Sequence, residues 1–86
     1  MTYTIIIPKS VQKQIDALPD EISDRVVEKI DQLVEDQRPE GSIKLKNLDN
    51  EYRIRVGDYR VRYEIDDENQ VIRLLQCKHR RDVYRK

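Results

Sequence analysis

Tyr52-Arg53-Ile54-Arg55-Val56-Gly57-Asp58-Tyr59-Arg60-Val61-Arg62-Tyr63-Glu64-Ile65 decides the fold. Apolar and charged residues alternate with period two on both sides of Gly57-Asp58, the pattern of two half-buried strands. A two-residue loop that begins with glycine closes a tight hairpin. Such a loop sets Val56 opposite Tyr59, Arg55 opposite Arg60, Ile54 opposite Val61 and Arg53 opposite Arg62. Directly opposed residues share a sheet face. Tyr52, Ile54, Val56, Tyr59, Val61 and Tyr63 are therefore expected on the core side. Arg53, Arg55, Arg60 and Arg62 are expected together on the other.

Like charges directly opposite across a ladder cost a few tenths of a kcal/mol per pair, about what Thr or Glu would avoid. Arginine, however, offers a planar fork that matches phosphate. The arrangement therefore points to a face that meets a polyanion, foremost nucleic acid. Lys44 and Lys46 stand just before it, and Lys78, Arg80, Arg81 and Arg85 follow it. Arg73 joins the face if it lies opposite Arg62. The plainer alternative is a solvated face whose arginines pair with Glu51, Glu64, Asp66 and Asp67.

Outward from the hairpin, Asp66–Gln70 reads as a polar turn. Val71–Cys77 reads as a third strand, with Ile72 and Leu74 facing the core and Cys77 buried or half-buried. Ile43–Leu48 is a short extra strand or an extended lead-in. Upstream the period becomes helical. Val11, Ile15 and Leu18 form one stripe behind Ser10 as N-cap. Ile22, Val26, Ile30, Leu33 and Val34 form a second, with Asp20 as cap, ending before Arg38-Pro39. Thr2–Ile7 is a short strand closed by Pro8. Strand, helix, helix and a run of antiparallel strands make an α+β fold. Two helices pack on one face of a three- to four-stranded sheet.

The 86 residues leave room for one small domain, 1–86. Formal net charge is zero, from 17 Lys+Arg and 17 Asp+Glu, yet the charge is split. Residues 1–42 hold five basic and nine acidic side chains, and residues 43–86 hold twelve and eight. A membrane span is not expected, because the longest apolar run is Ile5-Ile6-Ile7 where about 20 residues are needed. Nor is a signal peptide, since Met1–Thr4 has no basic flank. A single cysteine, Cys77, fits a reducing cytoplasm.

Metal chemistry is disfavoured, because Cys77 and His79 are the only soft ligands and sit among cations. The chain has only two glycines, so no Gly-rich phosphate loop exists. A metal-free and cofactor-free phosphate chemistry remains. RNA carries its own nucleophile, the 2′-hydroxyl, so an enzyme need only align it, stabilise the phosphorane and move two protons. The arginines supply charge. His79 is a candidate proton carrier, because histidine commonly serves as general acid or base. Tyr84 is a candidate for stacking on a base or holding the backbone. Alone, His79 reads equally as a plain tail residue, and Tyr84 as a packing residue.

Three blocks, Leu45-Lys46-Asn47-Leu48, Tyr52–Ile65 and His79-Arg80-Arg81-Asp82-Val83-Tyr84, together resemble the RelE/ParE superfamily of bacterial toxins, over essentially the whole chain. The resemblance implies a RelE-like toxin of a type II toxin–antitoxin system, held inactive by a cognate antitoxin protein. It implies cleavage of mRNA in the ribosomal A site, without metal. Carried over by position, Arg53 and Arg55 match basic RNA-contacting positions, often lysine. Arg60 matches the phosphate-stabilising arginine, and Arg80 a second arginine at the leaving oxygen or phosphate. Tyr84 matches a substrate-orienting tyrosine, and some relatives place a histidine around His79. The expected catalytic set is thus Arg60, His79, Arg80 and Tyr84. The expected RNA-binding set is Lys44, Lys46, Arg53, Arg55, Arg62 and Arg81. Two departures stand out: arginine at 53 and 55 stays protonated, making it a poorer base than lysine, and the chain is neutral overall. ParE-like toxins, which poison DNA gyrase by binding, are the alternative.

Overall fold

The chain is described by a computed structural model over residues 2–45 and 50–83. Its elements are β1 (Thr4–Ile6), α1 (Lys9–Asp16), α2 (Asp20–Gln32), β2 (Ile43–Lys44), β3 (Glu51–Val56), β4 (Tyr59–Asp66), β5 (Val71–His79) and α3 (Arg80–Val83). The strands form one sheet in the order β1-β5-β4-β3-β2. β2 through β5 pair antiparallel, and β1 lies parallel to β5. The fold is α+β as expected, but the sheet has five strands among the described residues and is mixed. The N-terminal strand forms one edge of it, parallel to β5.

The β3–β4 hairpin turns on Gly57-Asp58, with Val56 paired to Tyr59. Gly57 has φ of 58°. A left-handed first loop residue is what lets so short a loop follow the twist of its strands, and glycine adopts it without a Cβ clash. Both long helices start earlier than hydroxyl or carboxylate capping predicts. Pro8 and Pro19 hold the N-cap positions, with no side-chain cap bond. Their carbonyls accept from Gln12 and Ser23 at 2.9 Å each. Proline has no N–H of its own to satisfy, and its fixed φ suits the turn into a helix. Ser10 and Asp20 therefore lie inside the first turns.

Val11 and Ile15 of α1 and Val26, Ile30 and Leu33 of the second stripe are buried. They meet Ile54, Val56, Val61, Tyr63, Ile65, Ile72, Leu74 and Cys77 of the sheet in one cluster. Both helical stripes thus cover the same sheet face. Burying these side chains, at roughly 1.5–3 kcal/mol for each aliphatic one before entropy is counted, is what holds a chain this charged in a compact state.

β5 carries a register shift against Arg62/Tyr63: Arg62 pairs with Gln76 but Tyr63 pairs with Leu74. Leu75 is the extra residue of a β-bulge. Simple alternation from Ile72 and Leu74 would send Gln76 and Lys78 to the core and Cys77 to the open face. The bulge inverts this. Cys77 becomes 3 % exposed, its thiol pushed up to about 11 by burial. Gln76 and Lys78 turn to the open face.

Candidate functional site

The open face is organised in rows across the sheet. Arg55, Arg60 and Lys78 stand in one row across β3, β4 and β5, with Arg60 between the other two. Next come Arg53, Arg62 and Gln76, and then Glu51, Glu64 and Arg73. The hairpin thus gathers Arg53, Arg55, Arg60 and Arg62 on one face. The last row differs in sign and closes the basic strip at the end away from Gly57.

Partners divide the cations. Arg62 is ion-paired with Glu51 through Nη2 and Nε, the latter 2.7 Å from Oε1. Arg73 faces Glu64, not Arg62, and is ion-paired with it at 2.9 Å. To that extent the solvated reading holds. Arg53, Arg55, Arg60 and Lys78 have no carboxylate partner among the described residues. The guanidinium of Arg55 donates through Nε to the Gly57 carbonyl at 3.0 Å, and Arg60 Nη1 to the Tyr59 carbonyl at 3.2 Å. These acceptors are neutral, so they orient the cations without cancelling their charge. A cleft of about 130 Å³ opens between Arg53, Arg60, Arg62, Gln76 and Leu45.

Other expected residues fall elsewhere. Lys44 lies opposite Tyr52 and so shares the helix side of the sheet. The β2 residue on the arginine face is Ile43, opposite Arg53 and 51 % exposed. His79 lies opposite Tyr59, again on the helix side and away from Arg60. Its ring meets the Tyr59 ring edge-on, with centroids 5.2 Å apart. Its Nδ1 accepts from the Arg81 N–H at 3.3 Å. The strand runs two residues further than expected, which turns His79 from a tail residue into a strand residue. Arg80 begins α3 beside the hairpin loop, where its N–H donates to the Asp58 carbonyl at 2.7 Å. Arg81 follows it, exposed. Lys46 and Tyr84 lie outside the described residues.

Two residues not in the expected sets reach the face, Lys78 and Gln76. Neither was readable without the bulge. Among the described residues no group of three or more His, Cys, Asp or Glu could hold a metal ion. No helix among them is long and apolar enough to cross a membrane. The arrangement suits one task chemically: fixing several phosphate oxygens beside a lysine ammonium donor.

Residues 5–84 match the family model described as ParE toxin of type II toxin-antitoxin system, parDE. The chain is 31% identical to Toxin RelG of Mycobacterium tuberculosis over 87 residues, covering 100% of both. It is similar to a chain of the crystal structure of the archaeal RelE-RelB complex from Pyrococcus horikoshii OT3. That match has 36% identity and a TM-score of 0.83, over 93% of this chain and 97% of that one. It is also similar to a chain of the toxin-antitoxin complex RelBE2 from Mycobacterium tuberculosis. There the identity is 27% and the TM-score 0.79, over 93% of this chain and 100% of that one.

Proposed function

We propose a function from one premise: this chain belongs to the RelE/ParE superfamily and is a toxin of a type II toxin–antitoxin system. In this reading it is a metal-independent endoribonuclease that cuts mRNA in the ribosomal A site and so inhibits translation in the cytoplasm. The carrying observation is the pair of adjacent cation rows, Arg55–Arg60–Lys78 and Arg53–Arg62, on the sheet face opposite the one that α1 and α2 cover.

The RNA 2′-hydroxyl attacks the adjacent phosphorus as its proton passes to solvent water, and the 5′-oxygen of the next nucleotide leaves. The products are a 2′,3′-cyclic phosphate and a 5′-hydroxyl end. Arg60, flanked by Arg53 and Arg55, stabilises the charge that builds on the phosphorane oxygens. Lys78, beside Arg60 in the ladder, protonates the leaving oxygen, a task that an always-protonated arginine performs poorly. Arg80, at the same end of the sheet, adds a second contact to the phosphate, and Arg81 binds the strand. Tyr84 orients the substrate in this account. His79 takes a supporting role, holding the β5–α3 junction through Tyr59 and the Arg81 N–H.

A cognate antitoxin completes the proposal, as RelB does for RelE in the archaeal complex. An amphipathic, acid-leaning segment laid over the open face would cover both its cations and exposed Ile43. The second reading is gyrase poisoning, favoured by the ParE description of the matching family model. Induced expression separates the two. Primer extension on a reporter mRNA should show new ends within translated codons. Intact mRNA together with an SOS response would overturn the nuclease in favour of gyrase.

A further inference from the structure

Helix α2 carries five acids, Asp20, Glu21, Asp24, Glu28 and Asp31, but only two cations, Arg25 and Lys29. Both line a groove of about 440 Å³ between α2 and the hairpin, whose far wall is Arg55, Val56 and Gly57. Positions i and i+4 share one side of a helix, so the two cations stand together against a third. Fold stability alone would set the helix's abundant acids opposite Arg55, and neither Arg25 nor Lys29 has a carboxylate within ion-pair distance among the described residues. Glu28 also borders the groove and leaves it net cationic.

Arg55 belongs to this groove and to the cation row of the open face at once. The strip therefore continues over the Gly57 loop, while Glu51 and Glu64 close its opposite end. We infer that the substrate strand leaves the cleft at the hairpin end and lays a flanking phosphate in the α2 groove, on Arg25 and Lys29. This deepens the nuclease reading and rests on it for the identity of the strand. The occupant is the RNA backbone of that strand, read without regard to base, because the groove's cations suit phosphate and no aromatic side chain lines it for a base to stack on.

Strand length provides the test. Binding is measured for 2′-O-methyl RNA, which lacks the nucleophile, as a trinucleotide and as an oligonucleotide of about ten residues. The Arg25→Ala/Lys29→Ala protein should bind the trinucleotide like the unaltered protein. It should bind the longer strand about tenfold more weakly, with a salt dependence shallower by about 0.7 for each phosphate no longer neutralised. Alanine favours helix, and a thermal melt checks that the fold is kept. Equal weakening for both lengths would mean a general field effect and overturn the inference. So would no change for either, or a defect seen only on ribosomes. Failure of the nuclease reading looks different: no RNA ends form in cells, whatever the length dependence of binding.

Discussion

At the residue scale, the open face depends on which cation is left without an acid. Arg62 and Glu51 are held together, and their side chains are 34% and 17% exposed. Arg53, on the neighbouring strand, has no such partner among the described residues. Glu51 thus occupies Arg62 as a phosphate would. Glu51→Gln should release it, raising affinity for single-stranded RNA roughly threefold and steepening its salt dependence by about 0.7. Filter binding across a salt series checks this, and unchanged affinity and slope would mean that Arg62 never meets RNA. The four arginines were legible because alternation and the Gly57-Asp58 loop leave one register. Lys44 was not, because a two-residue strand such as β2 has no internal pattern to set its phase. The place of His79 was hidden for a related reason. A strand end next to a helix start has no period of its own, so nothing in the residues separated strand from tail.

At the scale of elements, the hairpin and β5 place the site. Gly57 holds φ of 58°, and a Cβ there would meet nothing within 4 Å. Gly57→Ala should therefore lose about 1 kcal/mol through backbone strain alone. A urea titration should show a lower midpoint and an unchanged slope. A loss several times larger would mean that the loop makes contacts beyond its own backbone. The helices were legible from their apolar stripes, and their caps were not, since proline at N-cap leaves no hydroxyl or carboxylate signal. The bulge at Leu75 was equally hidden. Val71–His79 offers apolar residues in both phases, Ile72 and Leu74 in one, Leu75 and Cys77 in the other. Only packing against Tyr63 and Val61 chooses where the phase changes. Lys78 entered the site through that choice, and parallel pairing of β1 needed the whole sheet.

At the scale of the molecule, acids dominate the helical layer and cations the open sheet face, and the zero net charge conceals both. The end of the sheet remote from the hairpin is tied by a separate network. Asp67 accepts from the Tyr3 hydroxyl at 2.7 Å and from Arg38 at 2.8 Å, and Arg38 Nε donates to the Tyr52 hydroxyl at 3.1 Å. The Tyr52 ring stacks on that of Tyr63, whose hydroxyl is pushed up to about 12, chiefly by burial. The Arg38 and Tyr3 hydrogen bonds hold the Asp67 carboxyl below its ordinary value. A depressed carboxyl contributes stability above the unfolded value of about 3.9 and loses it as pH falls through the folded value. Asp67→Asn should therefore lower the urea midpoint near neutrality, and the gap should narrow as pH falls below the unfolded value of about 3.9. A gap independent of pH would remove charge from the network's role. The central claim concerns the other end of the sheet, and cleavage of ribosome-bound mRNA by the purified toxin in EDTA tests it most directly. The account predicts cuts within codons that leave 5′-hydroxyl and cyclic phosphate ends, vanish with Arg60→Ala, and fail on a strand 2′-O-methylated at the cut site. Cleavage that survives either change, at equal amounts of folded protein, would contradict it.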